Sequence, residues 1–233
     1  MSAPQLPSLL VLWDVDHTLI ETRGVGRAIY DRAFSEATGK PLVQLAVISG
    51  RTELDIMSES LRLNGVEPTE DAVDRLANAL VDCYRAMADH LATAGRALPG
   101  AQQTLAALAA DARVHQGVLT GNLREVARIK LKVFGLDTYL DLEASAYGDD
   151  DAHRPRLVRT AQRRATDRTG VAFDNSRTVL IGDTPNDVRA ALTAGVRAIA
   201  VATGKSTEAD LRASGAIDVI PALNPDVVAR LLA

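Results

Sequence analysis

An α/β fold, built on a Rossmann-like parallel sheet with an inserted all-helical cap subdomain, is predicted by three observations. Four short apolar runs each close on turn-forming polar or glycine residues, a helix-like stretch follows each of those stops, and roughly eighty residues of helical periodicity interrupt the chain after the first run. Strand followed by helix, repeated, implies right-handed βαβ crossovers and a parallel sheet covered on both faces. With 233 residues and 47% apolar content, the chain is long and apolar enough to bury a substantial core.

The elements follow in order. The first run, SLLVLW, ends at Asp14-Val15-Asp16 and has the length and continuity of a buried strand. Residues 114–120 (VHQGVLT) stop at Gly121-Asn122, residues 178–181 (TVLI) at Gly182-Asp183, and residues 197–203 (RAIAVAT) at Gly204. The helix starts are signalled locally. Asn122-Leu123-Arg124-Glu125 has the form of a capping box, Pro185 stands at the first helical position after Thr184, and Thr207 opens a further helix. The long interruption reads as helices over 25–37, 52–63 and 69–92. A βα connection normally takes only a few residues, so residues 21–95 are expected to form a helical cap subdomain inserted into a core of residues 1–20 and 96–233. Open parallel sheets bind ligands beyond the carboxyl ends of their strands, where an insert leaving the first strand would overhang as a lid.

Charge and composition exclude several classes. Thirty acidic residues against 26 Lys plus Arg give a formal net charge of −4 with no long block of like charge, which argues against a nucleic-acid or membrane-surface partner. Residues 9–13 are too short an apolar run for a membrane span, and no basic region or small-residue cleavage site frames them as a signal peptide, so a cytoplasmic location is expected. The single cysteine, Cys83, cannot form an internal disulfide and sits in a helical run where a buried, inert thiol is expected. Aspartate (21) far outnumbers glutamate (9), which directs attention to places where short carboxylates converge.

Two such places stand at strand ends. Asp14 and Asp16 are two residues apart, so their side chains leave the backbone on a similar side, and Thr18 follows. Asp183 ends another strand, with Asp187 one helical turn beyond. Three or four carboxylates brought together need a cation, and a hard divalent ion with oxygen ligands, Mg²⁺ above all, fits carboxylates that share it with a phosphate.

These residues resemble the haloacid dehalogenase superfamily of phosphotransferases over nearly the whole chain. Asp14-Val15-Asp16-His17-Thr18 is similar to the nucleophile motif, Val118-Leu119-Thr120-Gly121-Asn122 to the second motif, Arg154-Pro155 to the basic third motif, and Gly182-Asp183 with Asp187 to the acidic fourth. The insert resembles the cap of the phosphoglycolate phosphatase and β-phosphoglucomutase branch. His17 stands where the family usually has Gly, and Arg154, with His153 and Arg156 as neighbours, where this branch usually has Lys. The resemblance implies a phosphatase of a small phosphorylated metabolite, acting as a monomer or homodimer. Asp14 would be the nucleophile that forms an aspartyl-phosphate and Asp16 the general acid and base. Asp14, the Asp16 carbonyl, Asp183 and Asp187 would hold Mg²⁺, and Thr120, Gly121, Asn122 and Arg154 the phosphate. Arg51, at the start of a cap helix, would reach the substrate. The same residues would serve a phosphomutase, while a dehalogenase needs neither the metal nor Asp16, and a non-catalytic module would not need the full set of acids. Thr203-Gly204-Lys205-Ser206 imitates the end of a P-loop, but Ile199 stands where its first glycine is required, and Gly24-Val25-Gly26 lacks the third glycine of a dinucleotide fingerprint at Ile29.

Overall fold

The structure, a computed structural model, describes residues 6–232. Strand β1 (Leu9–Trp13) is followed by the short β2 (Ile20–Glu21) and by helices α1 (Val25–Thr38), α2 (Glu53–Leu63), α3 (Glu70–Ala86) and α4 (Ala88–Ala94). Strand β3 (Arg96–Ala97) pairs antiparallel with β2 and ties the two ends of this helical insert together. The chain continues through α5 (Ala101–Ala109), β4 (Val114–Val118), α6 (Arg124–Val133), α7 (Arg154–Thr169), β5 (Thr178–Gly182) and α8 (Pro185–Ala194). It ends with β6 (Arg197–Val201), α9 (Glu208–Ala213), β7 (Asp218–Ile220) and α10 (Pro225–Leu232). No helix among the described residues is long and apolar enough to cross a membrane.

The five-stranded sheet has the order β4-β1-β5-β6-β7, all parallel. Alternation along β1 builds both faces. Val11 and Trp13 enter one core with Leu105, Leu131 and Val228, while Leu10 and Leu12 enter the other with Leu157, Val188 and Leu211. β1 lies between β4 and β5, so its carboxyl end opens where the connections diverge to either side, the position at which such sheets bind ligands. The insert has its own core around Ile29, Phe34, Met57 and Leu76, and this core also takes in Leu123 and Val126 at the start of α6.

The structure departs from the sequence reading at several points. The helical stretch over 69–92 breaks at Met87 into α3 and α4. The strand signals over 114–120 and 197–203 end in the sheet at Val118 and Val201, and the residues beyond enter loops. Asn122 does not cap α6. Leu123 is the N-cap and no capping hydrogen bond forms, because the Asn122 amide is engaged elsewhere. By contrast, Thr184 with Asp187 and Thr207 with Asp210 both form complete capping boxes. The edge strand β7 carried no clear sequence signal, being three residues long and only partly buried.

Trp13, the sole tryptophan, is fully buried, and its indole N–H donates to Gln116 Oε1 at 3.1 Å; the Gln116 amide in turn donates to the Leu105 carbonyl at 3.0 Å. Replacing Gln116 with Leu leaves the indole N–H without an acceptor. The substitution is expected to lower stability by about 1–3 kcal/mol, seen as a lower urea midpoint followed by Trp13 fluorescence; an unchanged midpoint would contradict it.

Candidate active site

The first turn beyond β1 is held by the sheet itself, since the Asp14 amide donates to the Ile181 carbonyl at 2.8 Å and the Leu119 amide to the Trp13 carbonyl at 2.8 Å. This brings Asp14, the loop after β4 and the end of β5 to one place. Asp14, Asp183 and Asp187 are all buried, and each offers a carboxylate oxygen within 4.8 Å of the others. Arg154, at the start of α7 and also buried, donates to Asp14 Oδ1 at 2.6 Å and to Asp187, while Arg156 is exposed and faces Asp151. The second oxygen of Asp187 is taken by the Thr184 amide and hydroxyl, so this residue both caps α8 and anchors Arg154.

Asp183 has no such partner. It accepts a hydrogen bond from the Thr18 hydroxyl at 3.3 Å, and no cation lies within 4 Å of it among the described residues. Burial, with Asp14 and Asp187 nearby, pushes its carboxyl up to about 9. Burial and then Asp187 push Asp14 up to about 7, against the opposing pull of Arg154. Three carboxylates and one guanidinium leave two negative charges unmatched, and the donors are all hard oxygens. A divalent cation of the Mg²⁺ kind fits that balance. Gly204 abuts this cluster, because a Cβ there would lie 1.8 Å from Asp183 Oδ2. Its glycine is required by close approach, which explains the Thr203–Ser206 segment without a P-loop.

Asp16 faces the other way. Its two oxygens accept from the Lys130 ammonium at 2.9 and 2.8 Å, and Oδ2 also accepts from the Asn122 amide at 2.7 Å. Burial raises its carboxyl, but the Lys130 and Asn122 contacts outweigh it and hold Asp16 below its ordinary value. Asn122 Oδ1 accepts the third Lys130 hydrogen bond at 2.7 Å, and its amide also donates to the Thr120 hydroxyl at 2.8 Å. Sequence reasoning missed Lys130. The signal was present, because Lys130 falls on the buried stripe of α6 with Val126, Ala127 and Leu131, where an apolar residue is the rule.

The insert meets this surface directly. The Glu53 amide donates to the Gly121 carbonyl at 2.7 Å, Thr52 Oγ1 to the Ala152 carbonyl at 3.1 Å and Asn186 Nδ2 to the Ser49 carbonyl at 3.0 Å. Gly121 has no room for a side chain, since a Cβ would lie 1.9 Å from the Arg51 carbonyl. Arg51 itself turns back on its own helix, its guanidinium engaged by Asp55 and Glu59 and by the Val47 carbonyl. A cavity of about 460 Å³ lies between the two parts, lined by Asp14, Asp16, Asp183, Arg154 and Thr120 from one side and by residues of the insert from the other. His17 lines it too and has φ 61°, the left-handed conformation that explains why a glycine is the commoner choice at such a position.

A parallel α/β core with these acids at its carboxyl edge belongs with the enzymes that hydrolyse phosphoric monoesters. The chain is a member of the haloacid dehalogenase-like hydrolases, whose sequence model matches residues 11–192, and a second model of HAD-hydrolase-like chains matches residues 153–233. It is 29% identical to a phosphoglycolate phosphatase of Rhodospirillum rubrum over 85% of this chain and 81% of the relative. A phosphoglycolate phosphatase of Agrobacterium fabrum is 27% identical, over 97% and 94%. Among solved structures, CbbY from Rhodobacter sphaeroides in complex with phosphate superposes with a TM-score of 0.69 at 21% identity, covering 91% of this chain and 93% of that one.

The raised carboxyls give a pH dependence. Their folded-state values, about 7 for Asp14 and about 9 for Asp183, lie above the ordinary 3.8, so the stability they contribute without metal is full below pH 4 and is lost as pH rises through 7 and 9. A bound cation relieves that loss. The rise in Tm on adding Mg²⁺ to EDTA-treated protein is therefore expected to be larger at pH 9 than at pH 6, measured by differential scanning calorimetry; an increment that shrinks or stays constant with pH would contradict the assignment.

Proposed function

We propose that the chain is a Mg²⁺-dependent phosphatase of a small phosphomonoester that works through an aspartyl-phosphate on Asp14. The observation that carries this reading is the position of Asp14: buried at the mouth of the switch point, oriented by Arg154 and adjacent to the unmatched Asp183. With Asp16 protonated in the substrate complex, a carboxylate oxygen of Asp14 attacks phosphorus and the bond from phosphorus to the alkoxide breaks as Asp16 passes its proton to that oxygen. Water then gives a proton to Asp16 as its oxygen attacks the same phosphorus, releasing inorganic phosphate and restoring the Asp14 carboxylate. Thr120, the amides around Gly121 and Asn122, and the Arg154 guanidinium suit the phosphoryl oxygens. Asp14, Asp183 and the Asp16 carbonyl would hold the Mg²⁺, with Asp187 acting on it through Arg154. Bound there, the ion supplies positive charge that offsets repulsion between an anionic nucleophile and a phosphate dianion. The insert serves as the lid, held against the core by its contacts at Thr52 and Glu53.

Asp14→Asn is expected to reduce Mg²⁺-dependent hydrolysis of p-nitrophenyl phosphate by roughly 10³-fold or more with an unchanged circular-dichroism spectrum. Substantial residual turnover would overturn the nucleophile assignment. Lys130→Met tests the second carboxylate. Removing the ammonium that holds Asp16 low raises its carboxyl, so the kcat profile is expected to move to higher pH, at its acid limb where Asp16 acts as base and at its alkaline limb where it acts as acid; a profile unmoved at both limbs would separate Asp16 from proton transfer.

A further inference from the structure

On the insert side of the cavity two buried polar groups, Glu53 and Tyr30, lie side by side with no cation within 4 Å of the carboxylate among the described residues. Glu53, the first residue of α2, is 9% exposed and lines the cavity. Among the described residues its carboxylate has no hydrogen bond, and no cation lies within 4 Å of it. Tyr30, on α1, is 6% exposed and lines the same wall, and its hydroxyl lies beside the Glu53 carboxylate and Ser60 without reaching good hydrogen-bond geometry to either.

A local structural role does not account for Glu53. An acidic residue in the first turn of a helix favours the dipole, but it does so from a solvated position and gains nothing from burial. Glu53 instead occupies the buried stripe of α2 with Ile56, Met57, Ser60 and Leu61. The nearest buried cation cannot pair with it fully, because all three Lys130 donors are used by Asp16 and Asn122. A buried carboxylate without a partner is retained where a ligand brings one.

We propose that Glu53 and Tyr30 form a leaving-group subsite that accepts hydrogen bonds from the substrate, so that the preferred substrate is a phosphomonoester of a polyhydroxyl or amino alcohol and not of a hydroxy acid. The inference rests on the reading that Asp14 and Asp183 take the phosphoryl end. With the phosphoryl group there, the ester carbon and its substituents extend past Asp16 toward α1 and α2. A carboxylate in that position meets Asp16 and Glu53, both acidic, whereas a hydroxyl or ammonium donor satisfies Glu53 and leaves the Tyr30 hydroxyl free to donate or accept. The arginines along the insert wall do not reverse this polarity. Arg23 pairs with Glu21, Arg27 with Asp31, and Arg51 with Asp55 and Glu59. Lys205, which also lines the cavity, follows Gly204, whose backbone abuts Asp183.

The test compares kcat/KM in Mg²⁺ for glycerol 3-phosphate (hydroxyl donors), phosphoethanolamine (an ammonium donor) and 2-phosphoglycolate (a carboxylate). The wild type is expected to prefer at least one donor-bearing ester over 2-phosphoglycolate. Glu53→Leu should lower that preference by about tenfold or more, because a donor then faces an apolar wall. Glu53→Gln distinguishes the two sources: it lowers the ratio strongly if the ammonium ester is the preferred one, and weakly if the hydroxyl ester is. Tyr30→Phe, an isosteric change in a different helix, should shift the same ratio in the same direction even if the Glu53 variants fail to fold. A wild-type preference for 2-phosphoglycolate, or ratios unmoved in every folded variant, would remove the subsite and leave the hydrolytic reading standing. Absence of wild-type turnover on every ester, p-nitrophenyl phosphate included, would overturn both.

Discussion

Two buried cations divide the acids of the site between them, and the chemistry depends on that division. Arg154 bridges Asp14 and Asp187, while Lys130 holds Asp16 through both of its oxygens. Each pairing fixes an orientation as well as a charge, because a buried ion that lost its partner would be left in a medium that solvates it poorly. In Arg154 a single nitrogen, Nη2, meets both carboxylates, which leaves the rest of the guanidinium fork open to further acceptors. Lys130, a point charge at the end of a long stem, suits a single carboxylate with an amide beside it. Asp183 is left outside both pairings, and its carboxyl and that of Asp14 are raised first by burial and then by the neighbouring carboxylates.

The pairings require the chain to bring distant segments very close. The loop after β4 passes so near the insert that Gly121 touches the Arg51 carbonyl, and the loop after β6 passes so near β5 that Gly204 touches Asp183. Both contacts place backbone where a side chain would otherwise stand. The first joins the insert to the core at the edge of the cavity, and the second packs backbone against the Asp183 carboxylate. His17 contributes to the same packing: its carbonyl accepts the Thr203 hydroxyl at 2.6 Å, tying the turn after β1 to the loop that contains Gly204.

Much of this was legible in the sequence, and the remainder was hidden for identifiable reasons. The four strands of the core announce themselves as continuous apolar runs because both faces of the sheet are covered, and their carboxyl ends locate Asp14, Asp16 and Asp183. The edge strand β7 is short and half-solvated, so no apolar run marks it. Asn122 misled because its spacing from Glu125 is that of a capping box, while tertiary contacts with Asp16 and Lys130 took the amide that would have capped. Lys130 and Glu53 were passed over because charged residues on helices are normally solvated. Yet each stands in register with a buried stripe, as Arg154 does with Leu157, Val158 and Ala161. A charge placed where the helical period demands an apolar residue is therefore a usable sequence signal: it is costly unless another charge or a ligand meets it, and Glu53, Lys130 and Arg154 all face one cavity.

That signal also explains how the two parts of the molecule share one site. The loops at the sheet edge supply Asp14, Asp16, Asp183 and Thr120 to the cavity, while α1 and α2 supply Tyr30 and Glu53 to it. Helix α6 belongs to both. Leu123 and Val126 pack into the core of the insert, Ala127 and Leu131 into the core beneath the sheet, and Lys130 between them reaches Asp16. Asp16 is thus positioned by a side chain whose own helix is gripped from two sides, so its orientation is set by packing across the junction as well as by the loop that carries it. Phosphoryl chemistry needs a fixed frame of carboxylates and cations, which the sheet edge provides. Selectivity needs only a change in what the insert presents, and residues such as Glu53 can vary without disturbing the pairings of Arg154 or Lys130.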